Sequence, residues 1–444
     1  MTISRRSLIH GGAAGLGFLA LGSLAGCSTA APGTGATPTG SATSAGGGTA
    51  ETTNLILWTW PEGFGQKALA AVATQFPQYK VRQDVIGGDF KQKLTTTFTA
   101  GSGLPDISGV KGEDIAFFKS QAQYFTDLNT LGAEDIKGDY LEWKWAQATT
   151  EDGKQLGVPI DIGPTALFYR FDVFEEAGLP SDPEELAAAI RTWDEYFELG
   201  KELIAKKPGT YLIRNTGGMF DLMWKQSGKG FIDETATFIG DQDHVRNAWD
   251  TAVKGLNAGI VSKLQSNTAD TAAAVNDGRL PADFGASWHL SDLMVDAPET
   301  AGKWHVCEHP GDATNNGGSF LTIPDGAANK EAAFEVIAYL LNAENQAFEF
   351  EDKGNFPAVP AAFDLPLVAG PVEFLGGQVA AEVFGRAAET VRPLFEDPNE
   401  NTVNAPFYAE MDLVEASGKD PNKAFEDAVT AAKRLAQQVG LTVK

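Results

Sequence analysis

The chain is poor in cysteine, in basic side chains and in long apolar runs, and each shortage excludes a class of protein. Its two cysteines are Cys27 and Cys307, so a disulfide-rich scaffold is excluded and stability must come from burial of apolar side chains. The 34 Lys and Arg are outnumbered by 59 Asp and Glu, giving a formal net charge of −25. This balance argues against nucleic acid and anionic lipid headgroups as partners. Beyond the N-terminal segment no run approaches the ~18 apolar residues of a membrane span.

Motifs of common enzymes are also missing. The sequence has no Gly-x-Ser-x-Gly turn of a serine hydrolase, no phosphate loop ending in Gly-Lys-Ser/Thr and no His-Glu-x-x-His zinc motif. Paired carboxylates for glycoside hydrolysis could be chosen at will from so many acidic residues, so their presence decides nothing. The sequence therefore predicts no catalytic residue and no cofactor.

The N-terminus has the features of an export signal that ends at Cys27. Arg5 and Arg6 precede an uncharged stretch rich in Gly, Ala and Leu that is too short and too weakly apolar to span a bilayer. Leu24-Ala25-Gly26-Cys27 resembles a bacterial lipobox, and the segment 4–9 resembles a twin-arginine signal. We predict a lipoprotein signal peptide over 1–27, lipidation of Cys27, and export by the twin-arginine route, with the general secretory route as the alternative.

Residues 28–51 follow as a stretch of Ser, Thr, Gly, Ala and Pro, uncharged up to residue 50. Such a composition cannot bury enough apolar surface to fold. We predict a flexible tether that holds the remaining chain at the outer face of the cytoplasmic membrane.

The remaining chain is long enough for two or three domains and alternates strand-like with helix-like segments. Leu55-Ile56-Leu57-Trp58 and the run 79–86 have β character, and the segment 67–76 between them has a helical period. Strand, helix and strand in this order predict a parallel α/β unit. Thr192 with Glu195, Asn329, and Asp420 with Pro421 are predicted helix starts.

One long block resembles a known family. Gly157 to Leu179, followed by Thr192-Trp193-Asp194-Glu195, resembles the signature of extracellular solute-binding proteins of carbohydrate ABC importers, the maltose-binding-protein-like family. Three further blocks occur in the family's order: 101–107, 317–324 and 405–408. The resemblance covers nearly all of residues 52–440.

The resemblance implies an α/β, periplasmic-binding-protein-like fold of two lobes, with several hinge crossings and a ligand cleft between the lobes. The N-terminal lobe is expected at 52–160 plus 319–352, and the C-terminal lobe at 163–316 plus 353–444. The implied function is capture of a sugar or oligosaccharide and its delivery to the membrane subunits of an ABC importer. A non-sugar solute bound by the same fold, or an anchored glycan-degrading enzyme, are the alternatives.

A sugar site needs aromatic faces for the C–H surfaces of the rings and planar polar groups for the hydroxyls. Trp60 follows the first strand, and Trp288 stands where the family usually has a sugar-stacking Trp; for both, core packing is the alternative. Asp161 lies at the first hinge crossing, where it serves either the ligand or a hinge hydrogen bond. The predicted ligand-binding residues are Trp60, Glu62, Lys111, Glu113, Asp114, Asp161, Phe220, Trp288, Gly318 and Phe407. Asn404 with Phe407 or Tyr408 resembles the family's last aromatic contact, so Tyr408 is the alternative to Phe407.

A second kind of site is conceivable at His305, Cys307 and His309. On a strand these alternate residues would share one face and offer imidazole and thiolate ligands to zinc or copper. Alternate residues on one strand chelate poorly without further ligands, so we predict no metal site.

Overall fold

The computed structural model of the chain describes residues 52–61, 63–265, 268–392 and 394–444. The predicted signal peptide, Cys27, the tether and Glu62 lie outside the described residues, and those predictions are not addressed by the fold.

Within these residues, strands and helices alternate along the chain. The strands are β1 (Thr53–Thr59), β2 (Tyr79–Val85), β3 (Ile107–Val110), β4 (Gly157–Pro159), β5 (Thr165–Arg170), β6 (Ala282–Ala286), β7 (Trp304–Cys307) and β8 (Phe320–Thr322). The helices are α1 (Gln66–Gln75), α2 (Phe90–Ala100), α3 (Ile115–Lys119), α4 (Ala133–Ile136), α5 (Glu142–Gln147), α6 (Phe171–Glu176), α7 (Pro183–Ala189), α8 (Trp193–Lys206), α9 (Thr216–Gln226), α10 (Asp243–Asn257), α11 (Ala269–Asn276), α12 (His289–Asp296), α13 (Lys330–Leu340), α14 (Ala343–Lys353), α15 (Ala380–Thr390), α16 (Glu400–Ser417) and α17 (Pro421–Gln438).

The first lobe is built on a five-stranded sheet of order β2-β1-β3-β8-β4. β1 pairs in parallel with β2 along its whole length, from Thr53 opposite Tyr79 to Thr59 opposite Val85. With α1 between them, these strands confirm the predicted parallel α/β unit. β8 enters from far along the chain and pairs antiparallel with both β3 and β4, so the lobe is completed by a segment that returns after the second lobe.

The second lobe has a three-stranded antiparallel sheet of order β6-β5-β7 and is mostly helical. Its core is rich in aromatic side chains because α9, α10, α16 and α17 turn their apolar faces toward one another. Trp249 and Phe407 are fully buried there. The helix starts confirm the sequence prediction: Thr192 and Glu195 form a reciprocal capping box, and Asp420 accepts a hydrogen bond from the Lys423 N–H at 2.9 Å.

Three chain crossings lie side by side between the two sheets. The Ile162 N–H donates to the Phe356 carbonyl, and the Asn316 N–H donates to the Gly163 carbonyl, both at 2.8 Å. The crossings around 161–163, 315–319 and 354–356 therefore form one hydrogen-bonded hinge. The predicted two-lobe α/β fold with multiple crossings is confirmed, while the lobe boundaries remain a prediction.

None of the helices in the part of the chain that the structure describes combines the length and apolarity that crossing a membrane requires.

Candidate functional site

A cavity of about 1000 Å³ lies between the two lobes. Side chains of α3 and α5 line it from the first lobe, and side chains of α9 and the start of α16 line it from the second. The hinge residues 314–317 and the segment between α15 and α16 complete the wall. The cavity therefore receives groups from regions that are far apart in sequence.

The first-lobe wall presents two half-buried rings, Phe117 and Trp143. Lys91 Nζ lies 4.3 Å from the centre of the Phe117 ring and 2.9 Å from Asp114 Oδ1. Asp114 is thus buried and already paired, while the neighbouring Glu113 is exposed at the cavity. This wall offers flat apolar surface beside the Glu113 carboxylate, whose Oε1 lies 3.8 Å from Lys111 Nζ.

The second-lobe wall is a hydrogen-bonded network carried by α9 and α16. The Tyr408 hydroxyl donates to Asp221 Oδ1 at 2.5 Å, and Trp224 Nε1 donates to the same hydroxyl at 3.0 Å. Lys225 Nζ pairs with Asp221 Oδ2 at 2.7 Å. Burial, together with the nearby Asp221 carboxylate, raises the pKa of Tyr408 well above its usual value. The ring positions on this wall are therefore fixed before any ligand arrives.

The segment between α15 and α16 reaches across the cavity to the first lobe. Gln147 Nε2 on α5 donates to Glu396 Oε2 at 2.9 Å, and burial raises the pKa of Glu396. Four residues later, Glu400 accepts from the Phe231 N–H at 2.6 Å, and burial raises its pKa to about 8. Two carboxyl groups of the wall are thus held by hydrogen bonds of the protein itself.

Buried charges also lie where the hinge meets the cavity. Asp161 Oδ1 accepts from the Ser319 N–H at 2.7 Å, and burial raises its pKa to about 6. Lys144 Nζ donates to the Gly318 carbonyl at 2.6 Å and to Gln147 Oε1 at 2.7 Å, and burial lowers its pKa to about 8. Gly318 has φ +74°, and a Cβ there would lie 2.8 Å from Lys144 Nζ, so this crossing needs glycine.

Residues 61–347 match the family model of bacterial extracellular solute-binding proteins. The chain belongs to this family. Membership confirms the resemblance to extracellular solute-binding proteins that the sequence blocks indicated. It assigns the chain to binding proteins and not to enzymes. The cavity between the lobes is therefore the candidate solute site.

Similar proteins include a lactose-binding protein of Rhizobium radiobacter, 25% identical over 350 residues that cover 74% of this chain and 81% of that one. An arabinooligosaccharide-binding protein of Bacillus subtilis is 24% identical over 320 residues, or 66% of this chain and 70% of that one. The crystal structure of an extracellular solute-binding protein of family 1 superposes with a TM-score of 0.79 at 26% identity. That superposition covers 86% of this solute-binding protein and 100% of the other chain.

Of the residues predicted from sequence to bind ligand, Glu113 lines the cavity. Lys111 lies beside it, with Nζ 5.5 Å from the centre of the Trp60 ring. Trp60 itself is half-buried and packs edge-on against Phe90 at 5.5 Å. The structure thus gathers these first-lobe residues on one side of the cleft, and their contacts with a ligand remain predictions.

The other predicted residues lie behind the cavity wall. Trp288 is half-buried at the hinge and donates through Nε1 to the Asn316 carbonyl at 3.0 Å. Asp161 and Gly318 belong to the hinge crossings. Phe220 and Phe407 are fully buried in the second-lobe core and line no part of the cavity. Ligand contact by any of these residues remains a prediction, and in this structure none of them reaches the lining.

Several lining residues are absent from the list of predicted ligand-binding residues, although Asn404 and Tyr408 were considered from sequence and a helical signal was available. Three helices place an aromatic ring three or four residues from a planar polar group. These pairs are Trp143 with Gln147, Asp221 with Trp224, and Asn404 with Tyr408. Such spacing puts both members on one helix face. The signal becomes informative once the helices are known to face a common cleft.

His305, Cys307 and His309 do not converge. His305 stacks on Phe171 at 4.3 Å, Cys307 is buried in the second-lobe core, and His309 Nε2 lies 2.8 Å from Thr165 Oγ1. Among the described residues there is no group of three or more His, Cys, Asp or Glu side chains arranged to hold a metal ion.

Proposed function

We propose that the cavity between the lobes captures an oligosaccharide, which this solute-binding protein hands to an ABC importer. The observation that carries the proposal is the pairing of an aromatic ring with a planar polar group on three helices that face the same cavity. One of these helices belongs to the first lobe and two to the second.

The pairing matches the chemistry of a sugar ring. An aromatic face stacks on the apolar C–H surface of the ring, while amide and carboxylate groups exchange hydrogen bonds with the hydroxyls. Trp143 supplies such a face from the first lobe, and half-buried Tyr408 supplies one from the second. Trp224, only 3% exposed, lines the cavity beside Tyr408 and bonds its hydroxyl. Asp221, Asn404 and Glu113 provide the polar partners. We propose these six residues as ligand contacts.

The size of the cavity favours more than one sugar unit. Small-molecule pockets span about 300 to 1,000 Å³, and the cavity is at the upper end of that range. A single monosaccharide would leave much of both walls uncovered. We therefore infer a ligand of at least two units.

The relatives support the same class of ligand. The Rhizobium radiobacter protein is named for lactose and the Bacillus subtilis protein for arabinooligosaccharides. Both names describe sugars of two or more units. They favour a sugar over the non-sugar solute that the fold alone would allow.

Titration calorimetry of the purified protein against galactose, lactose, arabinooligosaccharides and maltooligosaccharides tests the proposal. We expect an oligosaccharide to bind more tightly than the monosaccharides. Trp143→Ala should weaken that binding by about 1 to 2 kcal/mol, the scale of a desolvated aromatic contact.

Trp193→Ala is the matched control for Trp143→Ala. Trp193 is also half-buried on a helix, but it bonds Gln226 through Nε1 and does not line the cavity. We expect its loss to leave sugar affinity unchanged. Failure of every sugar to bind, with binding of an amino acid or peptide instead, would contradict the proposal.

We further propose that the protein is exported by the twin-arginine route and anchored through lipidated Cys27. The lipobox, the paired arginines and the uncharged tether support this location. Metabolic labelling with a fatty acid should mark the wild type and not Cys27→Ala. Lipid on that variant would contradict the anchor, and normal export after replacement of Arg5 and Arg6 by Lys would favour the general secretory route.

A further inference from the structure

We propose that Lys144 is a positioning residue for ligand capture, because it ties the hinge to a hydrogen bond that joins the two lobes across the cavity. The inference rests on the proposed function in one respect, namely that the ligand enters the cavity between the lobes.

Three hydrogen bonds form a continuous relay from the hinge to the second lobe. Lys144 Nζ donates to the Gly318 carbonyl at 2.6 Å and to Gln147 Oε1 at 2.7 Å. Gln147 Nε2 then donates to Glu396 Oε2 at 2.9 Å. Lys144 and Gln147 share α5 of the first lobe, whereas Glu396 lies between two helices of the second lobe. The relay therefore spans the hinge and both walls.

The ammonium group helps to fix the orientation of the Gln147 amide. A lysine ammonium only donates hydrogen bonds, so the amide oxygen must face Lys144 and the amide NH₂ must face Glu396. An ionised Glu396 carboxylate only accepts hydrogen bonds and favours the same orientation, so Lys144 reinforces it and holds the Gln147 side chain in place from the other end. The lysine thus preserves the cross-lobe bond although it does not take part in it.

Lys144 is a buried charge surrounded by acidic side chains. Its side chain is fully buried, with Nζ 4.2 Å from the centre of the Phe320 ring. Three carboxyl groups attract the ammonium: Asp161 of the first crossing, Glu396 of the opposite lobe and Glu113 at the cavity. Burying a charge costs stability that an apolar residue would not cost. A role in holding the lobes explains why a lysine stands there.

The relay affects binding through the population of lobe arrangements. A cross-lobe bond that forms without ligand favours the arrangement in which both walls face the cavity, and ligand affinity scales with the population of the competent arrangement. Loss of the relay should therefore weaken affinity without removing a ligand contact.

The first test is small-angle X-ray scattering of the unliganded protein, which does not depend on which ligand binds. We expect Lys144→Met to have a larger radius of gyration than the wild type, because the lobes separate more often. Lys154→Met is the matched control, since Lys154 is a half-buried lysine of the same lobe that also donates to a backbone carbonyl, that of Ala122. It should scatter like the wild type.

The second test uses lactose as the probe in calorimetry. We expect Lys144→Met to weaken lactose binding about tenfold, the effect of one charge-assisted hydrogen bond. Glu396→Gln should weaken it less, and the double variant should resemble Lys144→Met alone because both changes act on one relay. Additive effects of the two changes would overturn the relay.

A pH profile separates this role from a merely structural one. Burial lowers the pKa of Lys144 to about 8, so lactose affinity should fall as pH rises from 7 to 9, when the ammonium loses its charge. Because burial also raises the pKa of Glu400 on the cavity wall to about 8, the profile is recorded for the wild type and for Glu400→Gln, and the fall should be present in both. Stability should move in the opposite direction. The unfolded lysine titrates near 10.5, so the unfolded chain holds more protons than the folded chain between these values and the free energy of unfolding contributed by Lys144 rises with pH.

If Lys144→Met does not fold, the pH profiles of lactose binding and the lactose affinity of Glu396→Gln still test the relay. Unchanged scattering of Lys144→Met, or an affinity that is flat from pH 7 to 9 in a wild type that binds lactose, would overturn the proposal. If lactose and the other sugars do not bind but the scattering difference is present, the relay stands and the proposed sugar function fails.

Discussion

In the second lobe, α9 and α16 each have one face in the aromatic core and another face at the cavity. On α16, Phe407 is fully buried among aromatic side chains, with the Phe231 ring 4.9 Å away, whereas the next residue, Tyr408, faces the cavity. On α9, Phe220 is fully buried, and the next residue, Asp221, lines the cavity. One step along each helix separates the core from the candidate site.

The difference follows from helix geometry. Successive residues of an α-helix point about 100° apart, so neighbours in sequence face different surroundings. An aromatic residue in such a helix satisfies the pattern of a core residue and that of a ligand contact equally well. The orientation of the helix against its neighbours decides between them, and a single sequence does not contain that orientation.

The largest effect is expected from the core face. Phe407→Ala should lower the free energy of unfolding by about 3 to 5 kcal/mol, because it empties a packed aromatic site. The folded fraction should bind its sugar within about twofold of the wild type. Denaturant melts and titration calorimetry on the same preparation measure the two quantities. A large affinity loss with normal stability would instead place Phe407 in the site, as the sequence predicts.

The cavity face should show the reverse pattern. Asp221→Ala removes the acceptor of the Tyr408 hydroxyl and the partner of Lys225, so we expect sugar binding to weaken by about 2 kcal/mol, as for hydrogen bonds to a charged group. Asp250→Ala on α10 is the control, since Asp250 also pairs with a basic residue four positions away, Arg246. Its removal should cost about 0.5 kcal/mol of stability or less and no affinity. Equal affinity in the two variants would remove Asp221 from the site.

Trp288→Ala should have the smallest effect. The indole N–H holds the Asn316 carbonyl at the hinge, so its loss should weaken sugar binding by about 1 kcal/mol, the net contribution of one hydrogen bond. Calorimetry distinguishes this from the stacking contact predicted from sequence. A loss of about 3 kcal/mol, with stability intact, would identify Trp288 as a stacking platform of the ligand.

The general fold was accessible from sequence because its signals are local and ordered. The apolar run at 55–58, the capping box at Thr192 and the family blocks are each formed by residues adjacent in sequence, and the resemblance that the ordered blocks carry implies two lobes. The cavity was less accessible because Trp143, Trp224 and Glu396 come together only through the packing of distant helices. The sequence predicts Trp60 and Lys111 as ligand contacts because they follow strands, and both lie beside the cavity. The wall itself is carried mainly by helix faces.

The hinge has a mechanical consequence. Its three crossings lie against one another, and a Cβ on Gly163 would overlap the Asn316 carbonyl. Because hydrogen bonds join these three neighbouring segments, we expect them to bend together about one axis perpendicular to the chain direction. Twisting or sliding of one segment against another would break those hydrogen bonds. We therefore expect the opening of this protein to be described by a single angle. A membrane partner that responds to one distance between the lobe tips would then distinguish loaded from empty molecules, whichever solute is bound.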